Sequence, residues 1–377
     1  MNGETLDLAK RLVACRSLTP DDAGCLDLIA SRLAAAGFTC ERVDRGVVRN
    51  LWARHGDAAP LVCLAGHVDV VPPGPIERWT SDPFVPTERD GYLYGRGVAD
   101  MKVSVAALVT AAERFVAADR DHRGSIALLF TSDEEGDAVD GTAAVVDVLR
   151  SRGQSLDACI IGEPTSTGTL GDALKNGRRG SLHGVLTVKG KQGHVAYPEL
   201  ARNPIHSAAA ALAELVATEW DRGDGSFSPT SFQMSNVQAG AGASNVIPGT
   251  MDVVFNFRFS PASPVESLKT RVHEILDRHR VEYDLAWTVA SLPFIFPAGK
   301  LVESLSRAVA GVTGVTPEMS TGGGTSDGRF LAAISTELVE FGPVNASIHA
   351  VDERVLVADI APLSAIYEQT IAALLTR

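Results

Sequence analysis

Ile126-Ala127-Leu128-Leu129-Phe130-Thr131 is an apolar run of strand length that ends abruptly in Ser132-Asp133-Glu134-Glu135-Gly136. A run this short, closed by acids and a glycine, predicts a buried strand rather than a helix. Open α/β sheets place their ligand sites where buried parallel strands deliver polar groups at their carboxyl ends. Glu134 and Glu135 are adjacent, so their side chains leave the chain in different directions and suit two tasks. One carboxylate can hold a metal while the other handles a proton. For this run alone, a solvated acidic turn is the plain alternative.

The same pattern recurs. Pro60-Leu61-Val62-Cys63-Leu64-Ala65-Gly66 runs into His67-Val68-Asp69. On an extended backbone, residues two apart project to one face. An imidazole ligand with a carboxylate near it is the usual arrangement at zinc, against the plain reading of a structural histidine. Asp157-Ala158-Cys159-Ile160-Ile161-Gly162 delivers Glu163-Pro164. Between them, Gly95-Arg96-Gly97-Val98-Ala99-Asp100-Met101-Lys102 precedes a long apolar helix through Val116. Capping that helix is the default role for Asp100. The Gly-Arg-Gly is no dinucleotide fingerprint, because no G-x-G-x-x-G follows a strand.

The order of elements predicts two domains. Leu6, Ala9, Leu12 and Val13 share a helical face, and a helix with Leu26, Ile29 and Leu33 stops at Gly37. Together with a helix over 142–150, the layout is β-α-β-α-β, which predicts a mostly parallel sheet with helices on both faces. Strands are then expected at 181–188, 231–238, 250–259 and 281–290, with helices at 203–220 and up to 279. Ser263-Pro264-Val265-Glu266 reads as the capping box of the latter. The order β-α-β-β-α-β is ferredoxin-like, with an edge free to pair with another copy. From Phe294 the helical and parallel pattern returns, with helices near 300–310 and 359–375 and a strand at 336–341. The expected division is therefore a discontinuous catalytic domain, 1–179 with 294–377, carrying an inserted ferredoxin-like dimerisation domain at 180–293.

Charge and cysteines exclude several functions. The 34 basic and 46 acidic residues give a net charge of −12, against nucleic acid or an anionic membrane as partner. An anionic small substrate then needs a local basic cluster. The 5 cysteines have no C-x-x-C spacing, against a disulfide framework or a zinc finger. With no signal-like N-terminus and no apolar run of about 18 residues, a soluble cytoplasmic protein is expected.

His67, Asp100, Glu134, Glu135, Glu163 and His349, with Asp69 behind His67, suit a two-metal site. One carboxylate bridges, each metal takes one imidazole and one further acid, and the spare glutamate is a general base. Such nitrogen and oxygen ligation fits zinc, with cobalt or manganese as substitutes. A serine hydrolase is the rival, since Gly324-Thr325-Ser326-Asp327-Gly328 matches G-x-S-x-G and Glu340 and His349 follow in triad order. Thr316 to Gly323 contains Pro317 and two glycines, Gly322 and Gly323, however, and makes a poor strand to carry a nucleophile.

His67-Val68-Asp69-Val70-Val71-Pro72, Gly95-Arg96-Gly97-x-x-Asp100-Met101-Lys102, Glu134-Glu135-Gly136, Gly162-Glu163-Pro164 and the late His349 resemble the zinc aminoacylase/carboxypeptidase family of co-catalytic metallohydrolases. Lys175 to Ser181, Gln192 to Pro198, Asn245 to Pro248, Asn256 to Ser260, Thr321 to Phe330 and Glu340 to Ala346 extend the likeness from about residue 5 to 375. The resemblance implies amide hydrolysis of a small, carboxylate-rich N-acyl amino acid by a homodimer holding two zinc ions per subunit. It implies that Asp100 bridges, that His67 and Glu163 hold one zinc, and that Glu135 and His349 hold the other. Glu134 is then the base, Asp69 orients His67, and His194 donates to the oxyanion. Lys175, Arg178, Tyr197, Asn245, Arg258, Gly324, Thr325 and Asn345 contact substrate. Val103 stands where the family more often has glycine. Acetylornithine deacetylases and peptidases of the family would share the metal centre and differ in the acyl pocket.

Overall fold

The apolar run at Ile126 forms the strand Ser125–Thr131, all of whose residues are buried. The computed structural model describes residues 2–240 and 242–376. Strand Leu61–His67 pairs with Ser125–Thr131 in parallel, His67 beside Thr131. Strand Leu156–Ile161 continues the parallel set, and Ser335–Glu340 follows it, with Glu340 beside Ile161. Parallel pairing makes all four strands point the same way, so the residues that follow each strand emerge on one edge of the sheet.

The sheet has eight strands: Thr39–Arg42, Asn50–His55, Ser125–Thr131, Leu61–His67, Leu156–Ile161, Ser335–Glu340, Ala173–Lys175 and Glu318–Ser320, in that spatial order. The first two pair antiparallel, and sequence patterning did not reveal them. Asn50–His55 begins and ends on polar residues, and becomes a strand because it lies against Ser125–Thr131. Helix Val103–Ala118 is apolar nearly all round, as a buried helix is. Its Leu108 and Phe115 share one core with Leu8 and Leu12 of the first helix, Leu128 and Phe130 of the sheet, and Ile371 of helix Val357–Leu375. Among the described residues no helix is long and apolar enough to cross a membrane.

The chain divides into two units, Met1–Gly177 with Phe296–Ser320 and Ser326–Arg377, and Arg178–Ile295 with Thr321–Thr325. The second unit holds an antiparallel sheet in the order Ser231–Ala239, Thr250–Phe259, Gly180–Lys189, Tyr283–Ser291. Helices Pro204–Ala217 and Val265–Arg278 complete a β-α-β-β-α-β order. Its core joins Leu182 and Leu186 to Phe255, Phe257, Leu268 and Val272. Gly184 sits opposite Phe255, and a Cβ there would meet the ring at 2.2 Å, so glycine makes room for the aromatic.

The expected capping box is absent. Pro264 occupies the cap position of helix Val265–Arg278, and no side chain caps it. The Ser263 hydroxyl donates to the Asp221 carboxylate at 2.6 Å instead. A carboxylate outcompetes a backbone amide for that hydroxyl because its hydrogen bonds are charge-assisted.

Candidate metal centre

His67 ends its strand with its ring 1% exposed. Its Nδ1 donates to the backbone carbonyl of Asp69 at 2.9 Å, which leaves Nε2 to face Asp100 Oδ1 at 3.2 Å. The Asp69 carboxylate lies 3.6 Å from Nδ1 and accepts the backbone N–H groups of Glu134 (3.2 Å) and Glu135 (3.0 Å). The sequence reading assigned the carboxylate to the imidazole. In the structure the Asp69 carbonyl orients the ring, and the carboxylate gathers the Glu134–Glu135 turn.

Asp100 caps nothing. It lies ahead of helix Val103–Ala118 with non-helical φ −122° and ψ 90°, and no side chain caps that helix. Nor does it end a strand of the main sheet. Its carboxylate spans two imidazoles, Oδ1 to His67 and Oδ2 to His349 Nε2 at 3.5 Å. His349 Nε2 also stands 2.9 Å from Glu135 Oε1. The turn that aims His349 gives it a φ of +59°, a left-handed value uncommon outside glycine. One donor atom each from His67, Asp100 and Glu135 lie within 4.8 Å of one another. Glu163 is buried two residues past its strand and raises the pKa of Glu134 through its charge, but lies outside that closest group.

Two residues that hold this arrangement carried no role in the sequence reading. Glu353, fully buried, accepts the backbone N–H groups of Gly97 (2.9 Å), Ala99 (2.9 Å) and Asp100 (3.1 Å). It also pairs with buried Arg96 at 2.7 Å. Arg96 in turn donates to the His349 carbonyl at 3.4 Å and stacks on Trp79. An arginine between two glycines, beside an apolar run, hints at a buried charge. Its partner, 257 positions away, gives no such hint. Asp327, buried beside the same group, is a third omission; burial pushes its carboxyl up to about 6.

The electrostatics are those of a cation site. Burial pushes the Glu134 carboxyl well above its ordinary value, and the charge of Glu163 adds to this. Hydrogen bonds to Asp100 and Glu135 raise His349 to about 10. For His67 burial works the other way, but Asp100, Asp69 and Glu134 outweigh it and the pKa rises. Burial would raise Asp100 too, yet the two imidazoles hold it far below the carboxylate range. Protons on the imidazoles thus balance the crowded carboxylates. Divalent cations fit the same place: the donor set is imidazole nitrogen and carboxylate oxygen, and each Asp100 oxygen faces a different imidazole.

The triad rival does not assemble. Ser326 is 1% exposed and donates to Glu340, while His349 is engaged with Glu135 and Asp100.

The remaining candidates divide between the units. Lys175 ends a short strand of the first unit. There too, Asn345 donates its backbone N–H to Ser166 O at 2.9 Å. In the second unit Arg178 donates to the carbonyls of Gly322 (3.3 Å) and Gly324 (3.0 Å), the latter next to Thr325. Arg258 Nη1 and Arg179 Nε are buried with no hydrogen-bond partner among the described residues. Burial and the charges of Arg179 and Arg178 depress Arg258 below the usual guanidinium value. Three clustered cations, two of them with a buried unused donor, are chemically suited to an anion, and Arg179 joins Arg178 and Arg258. His194 is exposed and lies in a two-residue strand paired to Val246–Ile247. Its Nδ1 accepts the Ala196 N–H at 3.0 Å, which leaves the ring proton on Nε2. Tyr197 packs near it, 5.9 Å between ring centroids, and Asn245 accepts the Val195 N–H through its carbonyl.

The family model of peptidase family M20/M25/M40 matches residues 63–373. A succinyl-diaminopimelate desuccinylase of Azoarcus sp. (strain BH72) is 62% identical over 372 residues, 99% of this chain and 98% of that protein. Another, of Nitrosomonas eutropha, is 60% identical over 375 residues, 100% of this chain and 99% of its own length. The fold is similar to that of an M20 family metallo-carboxypeptidase of Sulfolobus solfataricus, with TM-score 0.80, 17% identity and coverage of 98% and 99% of the two chains. It is also similar to a dinuclear metal-binding M20 peptidase of Bacillus subtilis, with TM-score 0.73, 16% identity and coverage of 99% and 98%.

Two outcomes follow from this geometry. The surrounding carboxylates raise the pKa of both His67 and His349, so zinc binding through these imidazoles is expected to release protons. Affinity therefore weakens as pH falls below about 10, the value of His349. Titration calorimetry in buffers of different ionisation enthalpy measures the release; none would show that the imidazoles are not ligands. Glu353→Ala leaves Arg96 buried without its counter-charge, at a cost of about 3–5 kcal/mol of stability. The milder Glu353→Gln weakens metal binding by about 10–100-fold, as loss of a ligand's support does. Denaturant titration and equilibrium metal binding read the two effects separately.

Proposed function

This chain belongs to peptidase family M20/M25/M40, and on that premise we propose that it hydrolyses N-succinyl-LL-2,6-diaminopimelate to succinate and LL-2,6-diaminopimelate, in diaminopimelate and lysine biosynthesis. The observation that carries the reading is identity of about 60% to several succinyl-diaminopimelate desuccinylases over nearly their full length. It is a metal-dependent hydrolase. In our assignment two ions would be held here, one by His67 and Glu163 and the other by Glu135 and His349, with Asp100 shared between them. We take the ions as zinc, with cobalt or manganese as substitutes. When bound, such ions polarise the amide carbonyl and lower the pKa of the attacking water.

The chain's own groups do the rest. Glu134 takes the proton of the attacking water and returns it to the leaving amine. Its raised pKa suits a carboxylate that must hold a proton between the two steps. Asp69 fixes both the His67 ring and the Glu134 backbone. The substrate carries three carboxylates, and Arg178 and Arg258 each offer a fork that grips one in bidentate fashion. Lys175, Tyr197, Asn245, Gly324, Thr325 and Asn345 supply further contacts. The unused donor of Arg258 supports this role.

We further assign pairing to the second unit, whose antiparallel sheet has edge strands at Ser231–Ala239 and Tyr283–Ser291. In the homodimer His194 donates its Nε2 proton to the oxyanion in the partner's site. The Ala196 N–H at Nδ1 supports that tautomer. A cytoplasmic setting suits a biosynthetic enzyme whose 5 cysteines are free thiols.

Hydrolysis of N-succinyl-diaminopimelate, N-acetylornithine and simple N-acyl amino acids, with zinc supplied, tests the substrate. The succinylated compound is expected to have the highest kcat/KM, and preference for another would end this reading. Glu134→Ala keeps its metal and loses about 10²–10⁴ in kcat, the range of a general acid–base group. Loss of both ions instead would show Glu134 to be a ligand.

Subunit mixing tests His194. His194→Ala and Glu134→Ala subunits are each nearly inactive. In a mixed dimer one site carries both defects and the other neither. Random exchange makes about half the dimers mixed, so about a quarter of all sites regain full activity. A mixture as inactive as its parents would confine His194 to its own subunit.

A further inference from the structure

The first unit holds a cavity of about 260 Å³ that the hydrolytic chemistry does not use. Its walls are continuations of the metal-centre segments. Val103 opens the helix just after Asp100, Leu170 follows Glu163, and Pro343, Val344, Ala346 and Ser347 precede His349. Ile360 and Leu363 of the closing helix complete a buried apolar body with Val103 and Leu170.

Two charged side chains of opposite sign line the same cavity, Arg354 and Asp359. The Arg354 guanidinium stands over the rings of Tyr92 and Tyr94, at 5.4 Å and 5.9 Å, and makes no hydrogen bond or ion pair among the described residues. Asp359, half-buried in the first turn of helix Val357–Leu375, likewise has no hydrogen-bond or ion-pair partner among the described residues. A carboxylate removed from water without a partner is costly, and burial raises its pKa accordingly. The two groups do not neutralise each other, although both face one space.

We infer that this cavity binds a free L-amino acid with an aliphatic side chain, its carboxylate on Arg354, its ammonium on Asp359 and its side chain on the wall of Val103, Leu170, Ile360 and Leu363. A guanidinium fork matches a carboxylate, a carboxylate matches an ammonium, and branched aliphatic walls match an alkyl chain. At about 260 Å³ the space falls below the roughly 300–1,000 Å³ of pockets for drug-sized ligands, and suits a molecule of amino-acid size. The inference goes beyond the hydrolytic reading and needs nothing from it.

L-Leucine is the probe, titrated calorimetrically into the full-length, metal-loaded protein beside leucinamide, which lacks the carboxylate, and 4-methylpentanoate, which lacks the amine. Saturable binding of L-leucine is expected, with each analogue weaker by at least about tenfold, as suits loss of one charge-assisted contact. Asp359→Asn and Arg354→Gln are each expected to weaken L-leucine by a similar factor and to leave basal hydrolysis unchanged. Absence of saturable binding overturns the inference. So does binding that survives in both variants, which would place leucine elsewhere, including the metal centre. The analogue series keeps the test decisive if either variant is poorly folded.

Discussion

The metal-centre geometry depends on buried carboxylates that accept runs of loop N–H groups from distant segments. Glu353 does this for Gly97, Ala99 and Asp100, and Asp69 does it for Glu134 and Glu135. Asp133 does the same for Ala138, Val139 and Asp140. An ionised carboxylate in a buried place is stabilised only when donors surround it, so each of these acids forces a loop to wrap it. Arg96 joins the first of these knots to the His349 carbonyl, which couples the segment carrying Asp100 to the segment carrying His349. Removing one such acid therefore moves Asp100, or the Glu134–Glu135 turn, without touching the side chain that is moved.

The parallel sheet explains why so many acids meet at all. Four strands running the same way bring His67, the Glu134–Glu135 turn and Glu163 out along one edge. Carboxylates gathered there repel one another, and desolvation adds to the cost. The raised pKa of Glu134 and the depressed one of Asp100 record the two ways the site answers. One acid takes up a proton, and the other is matched by imidazolium. Cations in that position would replace the imidazole protons and leave Glu134 as the acid whose proton can still move.

The fold and the specificity come from different places. Solved structures only 16–17% identical to this chain share its architecture over 98% or more of its length, so the scaffold tolerates nearly complete change of sequence. What an individual chain binds is set by side chains that the scaffold does not require. Arg178 and Arg179 crowd Arg258 with like charge, and Arg179 and Arg258 each keep a buried donor without a partner among the described residues, an expensive arrangement for a structural role and a useful one for an anionic ligand.

Much of the architecture was legible locally. The strands at Leu61, Ser125 and Leu156 announce themselves as short apolar runs closed by polar residues, because a strand buried on both faces needs nothing else. The β-α-β-β-α-β order could be read for the same reason, and the imidazoles and acids at the ends of those runs could be named. Strand Asn50–His55, by contrast, exists because Ser125–Thr131 pairs with it, and such pairing leaves no mark in a polar-ended segment. Ser263 looked like a helix cap until Asp221, 42 positions earlier, took its hydroxyl. Asp69 looked like a partner for the His67 ring and lies against it through both carbonyl and carboxylate, but folding also brought the Glu134–Glu135 turn to that carboxylate. Local sequence therefore determined which elements form and which residue types reach the sheet edge, since those depend on periodicity and on near neighbours. Only the tertiary structure decided which donor each buried carboxylate holds, because hydrogen-bond partners such as Arg96 and Glu353 are chosen by proximity in space across 257 positions of chain.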